Sequence, residues 1–69
     1  MRVDDYTKVL RFAQKQQDLG LVLGWSVDRG SDLAEFFVPD DVSADSFPTH
    51  IGKVRIVLTW LPRAMELLR

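Results

Sequence analysis

Asp41, Ser43 and Asp45 alternate along the chain as oxygen ligands do at the start of a calcium loop. A twelve-residue loop of that kind, begun at Asp41, requires glycine at its sixth position and a bidentate glutamate at its twelfth. The chain has Ser46 and Gly52 there. The segment reads instead as a solvated loop that caps the element after it. His50 is the single histidine and is placed to serve Ser46 or Ser31 as a general base. A triad also needs an orienting carboxylate and an oxyanion site, and no motif supplies either. The central carboxylates fall on loop and turn residues, where solvent keeps them ionised. The four glycines are isolated from one another, so no phosphate-cradling loop is formed. With no cysteine and one histidine, zinc-thiolate sites, Cys nucleophiles and His clusters are excluded within one chain. These residues imply no metal, no cofactor and no enzyme.

Asp45, Ser46 and Phe47 resemble the Asp-Ser-Leu motif at which carrier proteins receive a phosphopantetheine arm. Only 23 residues follow Ser46, too few for the three helices that complete a carrier fold, and an N-capping serine accounts for the residue better. Phosphate recognition has a second source of candidates in Lys8, Arg11 and Lys15 near the start and Lys53, Arg55, Arg63 and Arg69 near the end. Charge is zoned: residues 1–27 carry +1, residues 28–45 carry −5 and residues 46–69 carry +3, within a net charge of −1. A nucleic-acid surface therefore requires a fold that holds the acidic centre away from the phosphates, and no helix-turn-helix spacing is visible.

The elements that position these residues follow from periodicity. Residues 4–18 predict a first helix, with Asp4 or Asp5 capping its start and Tyr6, Leu10, Ala13 and Gln17 on one face, Val9 and Phe12 beside them. Gly20 supplies a left-handed stop. From Leu21 the period falls to two, so Leu21, Leu23, Trp25 and Val27 line the inner face of a strand. Asp28 to Asp32 is turn chemistry, and Leu33 to Val38 completes a β-hairpin before Pro39. Residues 39–49 read as a loop.

Beyond it an apolar stripe, Phe47, Ile51, Val54, Leu58, Leu61, Met65 and Leu68, alternates spacings of four and three, which is the seam of an amphipathic helix capped by Ser46. A second row, Val57, Trp60, Ala64 and Leu67, runs beside it. Pro62 falls on the polar side of that wheel, where a kink bends a helix around its core. The rival reading rests on the β-branched Val54, Ile56, Val57 and Thr59. It makes residues 54–61 a third strand and lets Pro62 open a short helix through Leu68.

The chain of 69 residues is then one α+β domain, helix-strand-strand-helix, with two helices packed on a β-hairpin, or α-β-β-β-α on the rival reading. A domain this small hides only about 60% of the surface its unfolded chain exposes, and without disulfides or metals it leans on association. The expectation is an obligate homodimer that buries the second row, Val57, Trp60, Ala64 and Leu67 with Ile56, or pairs its hairpin edges. Trp25 is expected in the core; Trp60 is divided between core and interface. Asp40, Asp41 and Asp45 are candidates to steer a basic protein partner. The expected function is a small non-enzymatic regulator, adaptor or inhibitor acting by protein binding; the alternative is a nucleic-acid-binding regulator using the basic residues of the two helices. In size and character the chain resembles the small accessory and inhibitor proteins of bacteria and their phages. No apolar leader follows Met1 and no apolar run approaches a membrane span, which predicts a cytoplasmic chain that does not bind membranes.

Overall fold

The structure, a computed structural model, describes residues 1–62. Helix α1 (Val3–Asp18) is followed by strands β1 (Gly24–Asp28) and β2 (Leu33–Pro39), a single 3-10 turn (Ala44–Ser46), β3 (His50–Ile51) and β4 (Val54–Leu61). The four strands form one mixed sheet in the order β1-β2-β4-β3. The architecture is α+β, as the composition and periodicity predict, but among the described residues it is one helix on a four-stranded sheet. The two-helix arrangement is thereby corrected as far as residue 62; the short helix expected from Pro62 to Leu68 lies outside the described residues.

α1 begins one residue before its expected start, and its N-cap is Arg2, whose side chain makes no capping bond. Asp4 and Asp5 therefore fall in the first turn, where a carboxylate favours the positive end of the helix. The buried line runs through Asp5, Val9 and Ala13. Of the expected face only Ala13 is buried, while Tyr6 and Leu10 are half-buried and Gln17 is exposed, so the helix is turned towards Val9. The end is a Schellman motif: Gly20, at φ 77°, donates to the Gln17 carbonyl and Leu21 donates to that of Gln16. Only a residue without a Cβ takes that conformation cheaply.

β1 and β2 make an antiparallel hairpin, with Trp25 opposite Phe36 and Val27 opposite Ala34, but β1 begins at Gly24 and not at Leu21, and Val22, outside the expected inner face, is in the core. Its turn is held by Asp28, whose Oδ1 accepts from the backbone N–H groups of Gly30 and Ser31 at 3.1 and 3.2 Å. The turn is also tied to the start of α1. The Met1 amino group donates to the Arg29 carbonyl at 2.8 Å, and the Arg29 guanidinium lies 4.4 Å above the Tyr6 ring centre.

The helix expected over the C-terminal stripe is overturned as far as Leu61. Residues 54–61 form a strand with the bounds of the rival reading, and Ser46 ends a 3-10 turn whose cap is Ser43. β4 runs parallel to β2, Leu33 opposite Arg55 through Pro39 opposite Leu61. A parallel pair needs a long crossover, and residues 40–53 provide it. The physical reason for the strand is its alternation: Val54, Ile56, Leu58 and Trp60 point to one side, while Arg55, Val57, Thr59 and Leu61 point to the other. Four β-branched residues in six positions suit that pleated conformation better than a helix.

The side of the sheet that faces α1 holds the core: Ala34, Phe36, Val38, Val54 and Ile56 with Val9, Ala13, Val22 and Phe47. Phe12, Phe36 and Phe47 form a three-ring cluster with centres 5.7 to 6.2 Å apart, within the range at which aromatic pairs attract beyond their area. Asp5 closes the same side at its lower end. Its buried carboxylate accepts from the Lys53 backbone N–H at 3.3 Å across the β3–β4 turn.

Candidate protein-binding face

Because side chains alternate along a strand, the residues left over from the core define the second face of the sheet. β2 contributes Leu33, Glu35 and Phe37, β4 contributes Arg55, Val57, Thr59 and Leu61, and β1 contributes Gly24, Ser26 and Asp28. α1 lies on the other side. Leu33, Phe37, Val57 and Leu61 stay part-exposed, and none belongs to the core cluster. Pro39, which shares their parity, is fully buried at the end of β2. A polar pair sits within this apolar set: the Thr59 hydroxyl donates to Glu35 Oε2 at 2.8 Å, part-buried. His50 pairs with Arg55 at the rim and is exposed. Its Nδ1 lies 3.2 Å from the Thr49 hydroxyl, so its hydrogen bond goes to neither Ser46 nor Ser31.

The proposed interface row is taken apart by the strand. Ile56 is 9% exposed and part of the core, whereas Val57 faces the open side. Trp60 points to the α1 side at the upper end of β4 and is 45% exposed, with its Nε1 donating to the Val42 carbonyl at 2.8 Å. Ala64 and Leu67 lie outside the described residues. What a helix would place in one stripe, the strand divides between two faces.

Asp40, Asp41 and Asp45 are all exposed in the loop that leaves β2, directly after Pro39. They follow the end of β2, where Leu61 pairs with Pro39, and their loop turns towards the α1 side, since Val42 packs against the core and its carbonyl accepts from Trp60 Nε1. Ser43, between them in sequence, spends its hydroxyl as an acceptor for the Asp45 N–H at 3.2 Å. Among the described residues no three metal-ligating side chains converge and no enclosed pocket is present. No described helix is long and apolar enough to cross a membrane.

The basic residues of α1 have a separate surface. Lys8, Arg11 and Lys15 are exposed at spacings of three and four, on the side of the helix away from the sheet. Lys53 and Arg55 are exposed on the β3–β4 hairpin and not on a second helix. Arg63 and Arg69 lie outside the described residues.

Trp25 is half-buried and packs against the core, close to its expected place. Periodicity missed Phe37, the largest apolar side chain of the open face. Its signal was present in the Phe36-Phe37 pair, since two adjacent aromatics in one strand must point to opposite faces. Searches of protein-family models, curated proteins and solved structures return no match to this chain.

Proposed function

We propose that this protein is a small non-enzymatic regulator or adaptor that binds another protein through the open face of its sheet. The observation that carries this reading is the apolar set Leu33, Phe37, Val57 and Leu61, left part-exposed on the face opposite the core. Large apolar side chains left part-exposed among polar residues are a usual mark of a protein-interaction site. The partner's chemistry follows: an apolar patch to lie on Phe37 and Val57, with basic residues that reach past the end of β2 to face Asp40, Asp41 and Asp45. Apolar contact supplies affinity, and the loop carboxylates raise the association rate.

The test is comparative capture from cell extract with the wild-type chain, Phe37→Asp and the double variant Asp40→Lys/Asp45→Lys as baits. The expected result is a protein retained by wild type, lost with Phe37→Asp and weakened at low salt with the lysine variant. Equal retention by all three folded baits overturns the reading.

A second reading is favoured by the stripe on α1. Lys8, Arg11 and Lys15 point to solvent and make no ion pair with any described carboxylate, which is the arrangement a phosphate backbone would use. Salt titration against duplex DNA and single-stranded RNA separates the two: nucleic-acid affinity falls steeply with salt, and an apolar protein interface changes little.

A further inference from the structure

The two edges of the sheet differ in a way that the binding face does not explain. At one edge β3 has only two residues, His50 and Ile51, between Pro48 and the Gly52 turn. β3 itself is too short to template another strand, and it covers only the start of β4, whose outer side beyond Ile56 runs for five residues to Leu61 and stops at Pro62. At the other edge β1 runs for five residues, Gly24–Asp28, and pairs with β2 on its inner side. Among the described residues no strand pairs with its outer side. None of the usual guards is present: no proline and no lysine lie within it, and its one charge, Asp28, stands at its end.

We propose that β1 pairs antiparallel with β1 of a second copy of the chain, about a two-fold axis through Ser26, to make a continuous eight-stranded sheet. This inference does not depend on the reading of the open face. In this register Trp25 faces Val27 of the second copy, and Val27 faces its Trp25, both on the α1 side. Aromatic and β-branched residues directly opposite each other are favourable cross-strand pairs. On the open side Ser26 meets Ser26, and Gly24 meets Asp28. No like charges oppose, and no bulky side chain stands at the axis. The burial of β1 fits a surface awaiting a neighbour: Trp25 and Val27 pack against the core yet remain only half-buried, whereas Ala34 and Phe36, their partners in β2, are fully buried. A second copy would finish covering them and satisfy the outer backbone groups of the strand. Five-residue edges bury less than a standard protein interface, so association is expected to depend on concentration.

Sedimentation equilibrium of the full chain across a range of concentrations tests this directly. The wild-type mass is expected to rise towards that of a dimer. Ser26→Lys and Ser26→Glu each place two like charges at the axis on an exposed position, and each is expected to remain a monomer with an unchanged circular dichroism spectrum. Mixing the two variants in equal amounts is expected to restore the dimer, because lysine then meets glutamate across the axis. A wild-type monomer at every concentration overturns the proposal. So does a Ser26→Lys variant that still dimerises, or a mixture that stays monomeric, since either outcome places any association elsewhere.

Discussion

The two faces of the sheet are built from the same strands with nearly the same residue types, yet only one of them holds the fold together. On β2, Ala34, Phe36 and Val38 are fully buried beneath α1, while their neighbours Leu33, Glu35 and Phe37 are only partly covered. On β4 the contrast repeats between Ile56 and Val57. A difference of one residue decides whether an apolar side chain is sealed in the core or stays part-exposed on the open face. Apolar content alone does not say which side of a strand is the core. The helix that lies on it does.

The largest effect is expected where the comparison is broken on the covered side. Phe36→Ala removes the ring that touches both Phe12 and Phe47, and should cost about 3–5 kcal/mol. In a domain this small that is enough to abolish a cooperative urea transition. Phe37→Ala, one residue away, is expected to keep its transition within about 1 kcal/mol of wild type, since truncation at a part-exposed site leaves no sealed cavity.

Gly52→Ala should come next. Gly52 has φ 59°, where a Cβ costs about 1–2 kcal/mol, and that Cβ would also collide with the Asp5 carboxylate. Asp5→Ala attacks the same lock from the helix side. It leaves the Lys53 N–H without its acceptor and should lower stability by about 1–3 kcal/mol, read from the urea midpoint.

The smallest effect belongs to the open face. Thr59→Val keeps the shape of the side chain and removes the bond to Glu35, for about 0.5–1.5 kcal/mol. Glu35→Gln, which preserves an acceptor, should move the midpoint less than Thr59→Val. The reverse order would mean that charge and not the hydrogen bond matters at that pair.

How much of this was legible in the sequence can be argued from the strands themselves. α1, its Gly20 stop and β1 with Trp25 and Val27 inward were readable, because α1 and β1 each have one apolar face and one polar face. β4 was not, except as the rival reading, because it is apolar on both sides. Val54, Leu58 and Leu61 fall at spacings of four and three that also fit a helix, although Leu61 faces away from the other two in the strand. Strands apolar on both faces lose the alternation that identifies them. The crossover that makes β4 parallel to β2 gave no local signal, since residues 40–53 contain only a 3-10 turn and a two-residue strand. Asp5 was legible as a helix-start carboxylate. Its role in holding the β3–β4 turn depends on a contact 48 residues away, which no local pattern encodes.

For the candidate site, the acidic cluster and Val57 are legible in the sequence. Phe37 is hidden behind Phe36, and the helical spacing puts Ile56 and Val57 on one surface that the strand divides.

The division between the faces can be measured directly because the chain has no cysteine. Ile56→Cys and Val57→Cys place single thiols on adjacent residues of β4, and their reaction with a thiol reagent under native conditions compares the two faces one residue apart. The expected result is prompt labelling of Val57→Cys, with Ile56→Cys labelled only as fast as the protein unfolds. Protection of Val57→Cys as strong as that of Ile56→Cys would contradict the account, because the face proposed to bind a partner would then already be covered by the chain itself.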